Sequence, residues 1–444
     1  MTAAADRAAL RQALPLSPDA ERGVVVEHLF RHEAGRLAAA LVRVLGPANL
    51  DLAEDVVQET LCHALEVWKM GRVPDNPAAW LRASARNRAL DLLRRQRTRT
   101  RLAPEVAQLH GELAPAVDAA FTDDALRVEQ LRMMFACCDA RLRPAVQVAL
   151  VLKLLCGFGV DEVAHAFLAS PAAIEKRLAR GKAALRRAGA LADLSDPQLA
   201  RRLEAVLDAL YLLFNEGYHG AHPEMAVRAE LCAEAIRLAR ALAEDPATAQ
   251  PRTFALLALM CLHAARLPGR LDARGALVPL EEQDRSAWDR ALAAEGARWL
   301  SRAVSEPPTA LLLEAAIAAE HCFAPTFAAT DWRAIVTLYD ALYAQHPTPV
   351  VALNRAIALA QVDGPERGLE ELQALPGRDR LARYPFYFAA LGELHLRAGR
   401  AREAAEEFRR ALRLARSPAE RRHFQRKLAA GRDLAHRRCP PPAP

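Results

Sequence analysis

Aromatic side chains are scarce in this chain, at 5% of 444 residues, and strand-favouring residues are thin beside the many Ala, Leu and Arg. Such a composition argues against a sheet protein and predicts an all-α architecture. Long apolar runs are missing as well. The most apolar stretch, Ala145 to Val160, is interrupted by Gln147 and Lys153 and is too short to cross a bilayer. The opening "MTAAADRAALRQALPLSPDAERG" lacks a basic start followed by an apolar run, so no secretory signal is expected. The eight cysteines, at 62, 137, 138, 156, 232, 261, 322 and 439, include no C-x-x-C pair and mostly fall inside apolar helical patterns. They read as small buried hydrophobes in a reducing compartment, which disfavours a disulfide frame or a zinc site and predicts a cytoplasmic protein.

Motifs of covalent chemistry are also absent. There is no G-x-x-x-x-G-K-[ST] loop and no H-E-x-x-H. "NEGYHGAH" brings Glu216, His219 and His222 close together, but no further residues complete a ligand set, so they read as turn or core polar groups. The expectation is a protein that is not an enzyme, with no cofactor and no metal.

What the chain does contain is helical pattern in blocks. Its length suits two to four domains. Residues 21–95 are helical and end in a basic run; residues 96–125 lose periodicity and suit a linker; residues 126–190 regain helical pattern. Residues 197–430 form a long Ala/Leu-rich helical region, and 431–444, ending in "CPPPAP", suit a disordered tail. Within the long region, "FAALGELHLRAGRAREAAEEFRRALRLARSP" sets Leu391, Gly392, Gly399, Ala404, Phe408 and Ala411 where a tetratricopeptide unit wants small residues and one filler. A plain helical bundle remains the alternative.

Three surfaces carry the functional signal. In "ANLDLAEDVVQETLCHALEVW", Asp51, Glu54, Asp55, Gln58 and Glu59 form an acidic, cation-free face, while Val56, Leu61, Leu65 and Trp68 supply the inward side. The helix dipole accounts for an acid at the start, but not for four acids and a glutamine on one surface, so a protein contact is expected there. After the break "GRVPDNP", "AAWLRASARNRALDLLRRQRTRTR" can bury Trp80, Leu81, Ala85, Leu90 and Leu93. Between Asn76 and Leu102 it carries eight arginines against one acid, Asp91. That density is a phosphate footprint, because an ordinary solvated face mixes signs.

The third is "DEVAHAFLASPAAIEKRLARGKAAL". Val160, Val163, Ala164 and Phe167 define a short helix; Ser170 suits an N-cap and Pro171 a first helical position; Ile174, Leu178 and Leu185 face inward. Two short helices joined by a tight turn are the helix-turn-helix plan, whose second helix enters the major groove.

Taken in order, "LAEDVVQETLCHALEVW", "PAAWLRASARNRALDLLRR" and the stretch from Asp161 to Leu185 resemble bacterial RNA polymerase sigma factors of the extracytoplasmic-function type. "LYLLFNEGYHGAH", "LCAEAIRLARAL", "LLALMCLHAAR" and "EEQDRSAWDRAL" are similar to segments of a subgroup with a tetratricopeptide-like helical extension. The resemblance implies a region 2-like domain at 21–95, a region 4-like helix-turn-helix at 126–190 and an extension at 197–430. By it, Asp51, Glu54, Asp55, Gln58 and Glu59 would bind core RNA polymerase at its clamp helices, and the helix-turn-helix domain would meet the flap. Trp80, Arg82, Arg86, Asn87, Arg88, Asp91, Arg94 and Arg95 would engage the −10 element. Ser170, Ala172, Ala173, Glu175, Lys176, Arg177, Arg180 and Lys182 would lie at the −35 element. Relatives often place polar or basic residues where this chain has Ala172, Ala173 and Glu175. The implied partners are core polymerase, promoter DNA and a protein or peptide for the extension, with no membrane. Two other readings stay open: a helix-turn-helix regulator that works without polymerase, and a helical-repeat scaffold that binds nucleic acid nonspecifically. The first of these does not account for the acidic helix at 51–59.

Overall fold

The computed structural model describes residues 18–70, 73–100, 114–139, 141–167, 169–188, 199–219, 227–272, 276–415 and 417–438. Among them the chain is helical throughout, with no strand and one isolated bridge between Leu271 and Leu277, as the composition requires. It divides into two units, residues 1–209 and 210–444.

Unit 1 is built from α1 (Pro18–Leu45), α2 (Leu50–Met70), α3 (Pro77–Thr100), α4 (Asp123–Cys137), α5 (Pro144–Leu150), α6 (Val160–Ala166) and α7 (Pro171–Ala188). After α5 the chain widens into a π turn over Val151–Leu155. Helix α1 is the centre. It packs on α2 and α3 and also on α4 and the π turn, burying Leu37, Ala38 and Leu41 fully. Gly35 allows the closest approach, since a Cβ there would sit 2.1 Å from the Leu155 carbonyl oxygen. The segments that the sequence divides into two domains and a linker therefore share one core in unit 1.

The segment at 96–125 also differs from a plain linker. Helix α3 runs on to Thr100, and residues 114–120 are helical, with Val117 and Phe121 buried four positions apart. Thr122 then caps α4, its hydroxyl accepting from the Ala125 amide at 3.3 Å. Residues 101–113 lie outside the described residues.

On α2 the inward stripe is Ala53, Val56, Val57, Thr60, Ala64 and Trp68, all buried. Leu65, expected on that side, is 42% exposed, because the three- and four-residue steps run through Ala64 and carry its neighbour round to solvent.

Helix α8 (Leu199–His219) spans the division between the units. Unit 2 continues with α9 (Ala229–Glu244), α10 (Pro251–Ala264), α11 (Arg290–Arg302), α12 (Ala310–Phe323), α13 (Trp332–Gln345) and α14 (Pro349–Val362). It closes with α15 (Pro365–Gln373), α16 (Pro385–Arg397), α17 (Ala401–Leu414) and α18 (Pro418–Arg438). Side chains accept first-turn amides at Asp289, Thr309, Asp331 and Thr348, so sequence punctuation sets where these helices begin.

The core of unit 2 advances along the chain in clusters. Leu259 and Leu262 of α10 pack with Ala315 and Ala318 of α12; Leu313 and Ile317 of α12 pack with Ile335 and Leu342 of α13; Leu353 and Ala356 of α14 pack with Leu372, Leu391 and Leu394. The close approach expected between α16 and α17 is present, because a Cβ on Gly392 would lie 2.8 Å from the fully buried Phe408 ring. Gly399 turns the chain between them with φ of +78°. Helix α18 continues to Arg438, past residue 430 where the pattern suggested the folded region ends; residues 439–444 lie outside the described residues.

Candidate nucleic-acid interface

The expected site residues fall on α2, α3 and α7, all in unit 1. Helix α2 exposes Asp51, Asp55, Gln58 and Glu59, with Glu54 half-buried beside them. Asp55 and Gln58 make no side-chain hydrogen bond or ion pair among the described residues, whereas their neighbours are engaged. Glu59 accepts from Arg88 of α3 at 2.7 Å. Asp51 accepts from Arg186 of α7 at 2.5 Å and from Lys182 at 3.2 Å, and Lys182 also pairs with Glu54. Burial works against the Lys182 charge, but its bonds to Glu54 and Asp51 outweigh that, and its ammonium is held above the usual lysine range.

Lys182 therefore departs from the expectation that placed it at DNA. Its side chain is 18% exposed and turned toward the acids of α2, one helical turn from Arg186 on the same side of α7. Arg186 was not anticipated by sequence reasoning; its spacing of four from Lys182 was the available signal.

The rest of α7 divides as periodicity requires. Ile174, Leu178 and Leu185 are buried, and Gly181 fits against the Leu150 side chain, where a Cβ would come within 2.7 Å. Ala172, Glu175, Lys176 and Arg180 are exposed together, with Ala173 partly covered. Arg177 is half-buried, its guanidinium 5.5 Å from the Phe167 ring centre. The Ser170 hydroxyl accepts from the Ala173 amide at 3.3 Å, so it caps the helix. Just before it, the Ala169 amide reaches back to the Ala164 carbonyl at 2.9 Å.

On α3 the arginines face carboxylates. Arg82 pairs with Asp123, Arg86 with Asp118 and Arg88 with Glu59, while Asp91 and Arg94 pair along the helix at 3.4 Å. The Arg86 hydrogen bond holds the Asp118 carboxyl below the usual aspartate range and raises the Arg86 guanidinium in turn. Asp118 and Asp123 come from the expected linker, so sequence reasoning missed them as partners. Arg86 also donates to the Asn87 side-chain oxygen at 2.9 Å, and Asn87 and Arg95 are exposed. Trp80 is half-buried, its ring 5.6 Å from both Trp68 and His63, with Phe30 continuing the aromatic row beyond Trp68.

Exposed ion pairs of this kind contribute little to stability and are readily screened. A nucleic-acid phosphate can replace the carboxylate opposite Arg82, Arg86 or Arg88 with a bond of the same type. The arrangement thus offers a replaceable basic face on α3, an outward cation row on α7 and an acidic row on α2.

The sequence reads Glu216, His219 and His222 as turn or core polar groups rather than a ligand set. Glu216 is paired with Arg228 at 2.7 Å, and His222 lies outside the described residues. No group of three potential metal ligands occurs among the described residues, and no helix there is long and apolar enough to cross a membrane.

Comparison with known proteins places names on parts of this arrangement. Residues 29–99 match the family described as sigma-70 region 2. Residues 202–304 match a family of unknown function, DUF6596. An uncharacterised protein of Rhizobium meliloti (strain 1021) is 39% identical over 387 residues, covering 86% of this chain and 90% of that protein. No solved structure matches the chain.

Proposed function

The chain belongs to the family of the Rhizobium meliloti protein and is a sigma-70-like factor, and on that premise we propose that it binds core RNA polymerase and directs promoter-specific transcription initiation as an extracytoplasmic-function type sigma factor. Residues 21–95 act as region 2, residues 126–190 as a region 4-like helix-turn-helix, and residues 197–430 as a tetratricopeptide-like extension that regulates them in cis.

The observation that carries this reading is the separation of charge on unit 1. Asp55 and Gln58 stand open on α2 while Lys176 and Arg180 stand open on α7. A DNA-binding protein needs the cations; an acidic row beside them repels phosphate and calls for a protein partner. Core polymerase would take the α2 row. Arg82, Arg86 and Arg88 would exchange their carboxylates for the backbone of the −10 strand. Unstacking a base costs a few kcal/mol, which stacking and arginine–phosphate contacts offset. Lys176 and Arg180 would hold −35 phosphates, fixing position more than sequence. Ala172 and Glu175 could meet a thymine methyl and a cytosine amino group.

The test is Asp55→Lys with Glu59→Lys. Core polymerase association should be lost while DNA binding survives. DNA binding by the parent chain with no association to core polymerase would favour a regulator that acts without polymerase. Run-off transcription with core polymerase and a genomic promoter pool should give promoter-specific products, and none would remove the proposal. The cis-regulatory role is tested by truncation near residue 195. A truncated chain that transcribes and responds like the full one would sink that part alone.

A further inference from the structure

Unit 2 holds a group of arginines that pair with no carboxylate among the described residues. Arg266 lies two residues past α10 and is 9% exposed, and its Nε has no hydrogen-bond partner among the described residues. Its guanidinium carbon lies 5.6 Å from the centre of the Trp288 ring. Arg285 approaches the same ring at 4.8 Å. One of its terminal nitrogens donates to the carbonyls of His321 at 2.6 Å and Ala324 at 2.7 Å, leaving the buried Nη2 without a partner. The Trp288 indole N–H is buried and has no partner among the described residues either. Gly269 lets that ring lie close, since a Cβ there would sit 2.8 Å from the indole nitrogen. A third cation, Arg270, stacks on the buried Tyr218 ring at 3.8 Å.

The acids around this group are engaged elsewhere. Asp284 accepts from Ser286, Asp289 caps α11, Asp272 accepts from the Ala276 amide, and Glu282 pairs with Arg426 and Lys427. Among the described residues no carboxylate pairs with Arg266, Arg270 or Arg285. The field of the group is felt by its neighbours. Burial with Arg266 nearby lowers the Arg285 guanidinium, and Arg270 and Arg266 pull the Tyr218 phenol down against its burial. Buried, uncompensated charge is unfavourable, and an arriving anion relieves it.

We propose that Arg266, Arg285 and the Trp288 indole, supported by Arg270, form a binding site for a small phosphate-bearing ligand. Three separate donors under three positive charges suit a tetrahedral dianion better than a planar carboxylate, which one guanidinium fork would satisfy. The three donors fall within the 202–304 segment, to which no function is assigned, so the site gives that segment a ligand class. It belongs to unit 2, whereas α2, α3 and α7 belong to unit 1, and it stands independently of the sigma-factor reading.

Inorganic phosphate is the probe, titrated into the full chain in phosphate-free buffer and followed by thermal melting and calorimetry, with chloride of equal ionic strength as reference. A saturable rise in Tm beyond the chloride reference is expected. Arg266→Gln should weaken phosphate at least tenfold and melt no lower than the parent chain when phosphate is absent, while Arg383→Gln, at an exposed position, should titrate normally. Should Arg266→Gln fail to fold, Arg285→Gln and Trp288→Phe carry the same expectation. A response equal to that of chloride overturns the proposal. So does a response lost in Arg180→Gln but kept in the Arg266, Arg285 and Trp288 variants, which would assign the phosphate to α7.

Discussion

Arg82, Arg86 and Arg88 of unit 1 lie near the surface, each opposite a carboxylate, whereas Arg266 and Arg285 of unit 2 lie against an indole with the local acids turned away. The first kind of arginine is already satisfied, and weakly. Its partner can be exchanged for a phosphate with small change in free energy, which suits reversible binding along DNA. The second kind has no carboxylate partner among the described residues and gains most when an anion arrives. Arginines already paired with a carboxylate confer exchange, and those without one confer demand for a specific ligand.

The largest expected effect breaks the first half of this comparison. Lys176→Glu with Arg180→Glu reverses two charges on the open row of α7. Affinity for promoter duplex should fall about 100-fold or more near 0.1 M salt, and the log–log salt dependence should flatten by about 0.9 for every phosphate that is no longer neutralised. Fluorescence anisotropy across a salt series reads both. Unchanged affinity would show that the row does not meet phosphate.

A smaller effect concerns Lys182, which together with Arg186 faces the acids of α2. Lys182→Glu removes the pairs to Asp51 and Glu54 and sets like charges against each other. Stability should fall by about 1 kcal/mol, the usual scale for losing partly screened pairs. Core polymerase should nevertheless bind more tightly, because Glu54 is released from α7 and Asp51 keeps only its pair to Arg186. Weaker polymerase binding in a folded variant would mean that the α2–α7 contact belongs to the docking-competent form.

These two predictions separate what sequence could and could not reveal. Lys176 and Arg180 were legible because Ile174, Leu178 and Leu185 fix the buried side of α7, so the outward row follows from helix period alone. The acidic face of α2 and the N-cap at Ser170 were legible for the same local reasons. Lys182 was assigned with its neighbours because its partner Asp51 lies 131 residues away, beyond any local pattern. Distance along the chain likewise hid Asp118 and Asp123 as the acids facing α3. Arg266 looks like an ordinary cation at a helix end, and only Trp288 and Arg285, brought over it by the turns after α10, make it a buried charge.

Acid sharpens the second half of the comparison. Burial, with Arg266 and Arg285 adding their charge, holds His321 down to about 3, and its ring rests edge-on to Trp332 beside Cys322. The unfolded chain takes up this proton near 6.5 while the native chain does not. Stability is therefore complete above about pH 6.5 and falls as pH drops from there toward 3, by at most about 1.4 kcal/mol per pH unit from this group. His321→Gln should flatten that part of the stability–pH curve in chemical denaturation. Saturating phosphate should flatten it too in the parent chain, since an anion at Arg266 and Arg285 offsets their field. An unaltered slope in His321→Gln would show that other groups set the acid limb.

The smallest effect has the opposite sign and tests whether buried charge in unit 2 is unfavourable where no ligand role is assigned. Glu314 of α12 is buried enough that its carboxyl is raised above the usual glutamate range, although Tyr211 donates to it at 3.2 Å. A raised carboxyl means that the native chain keeps its proton to higher pH than the unfolded one. Stability then declines as pH rises from the ordinary glutamate value through the raised one and stays lower above it. Glu314→Gln keeps an acceptor for Tyr211 and removes the charge. Its Tm should exceed that of the parent by about 1–3 °C at pH 8, where the charge penalty applies, and match it near pH 4, where both side chains are neutral. A gain at both values would point to packing. A loss at pH 8 would show that the Glu314 charge is balanced by the cations around it, which would place unit 2 closer to the satisfied pairs of unit 1 than to the arginines beside Trp288.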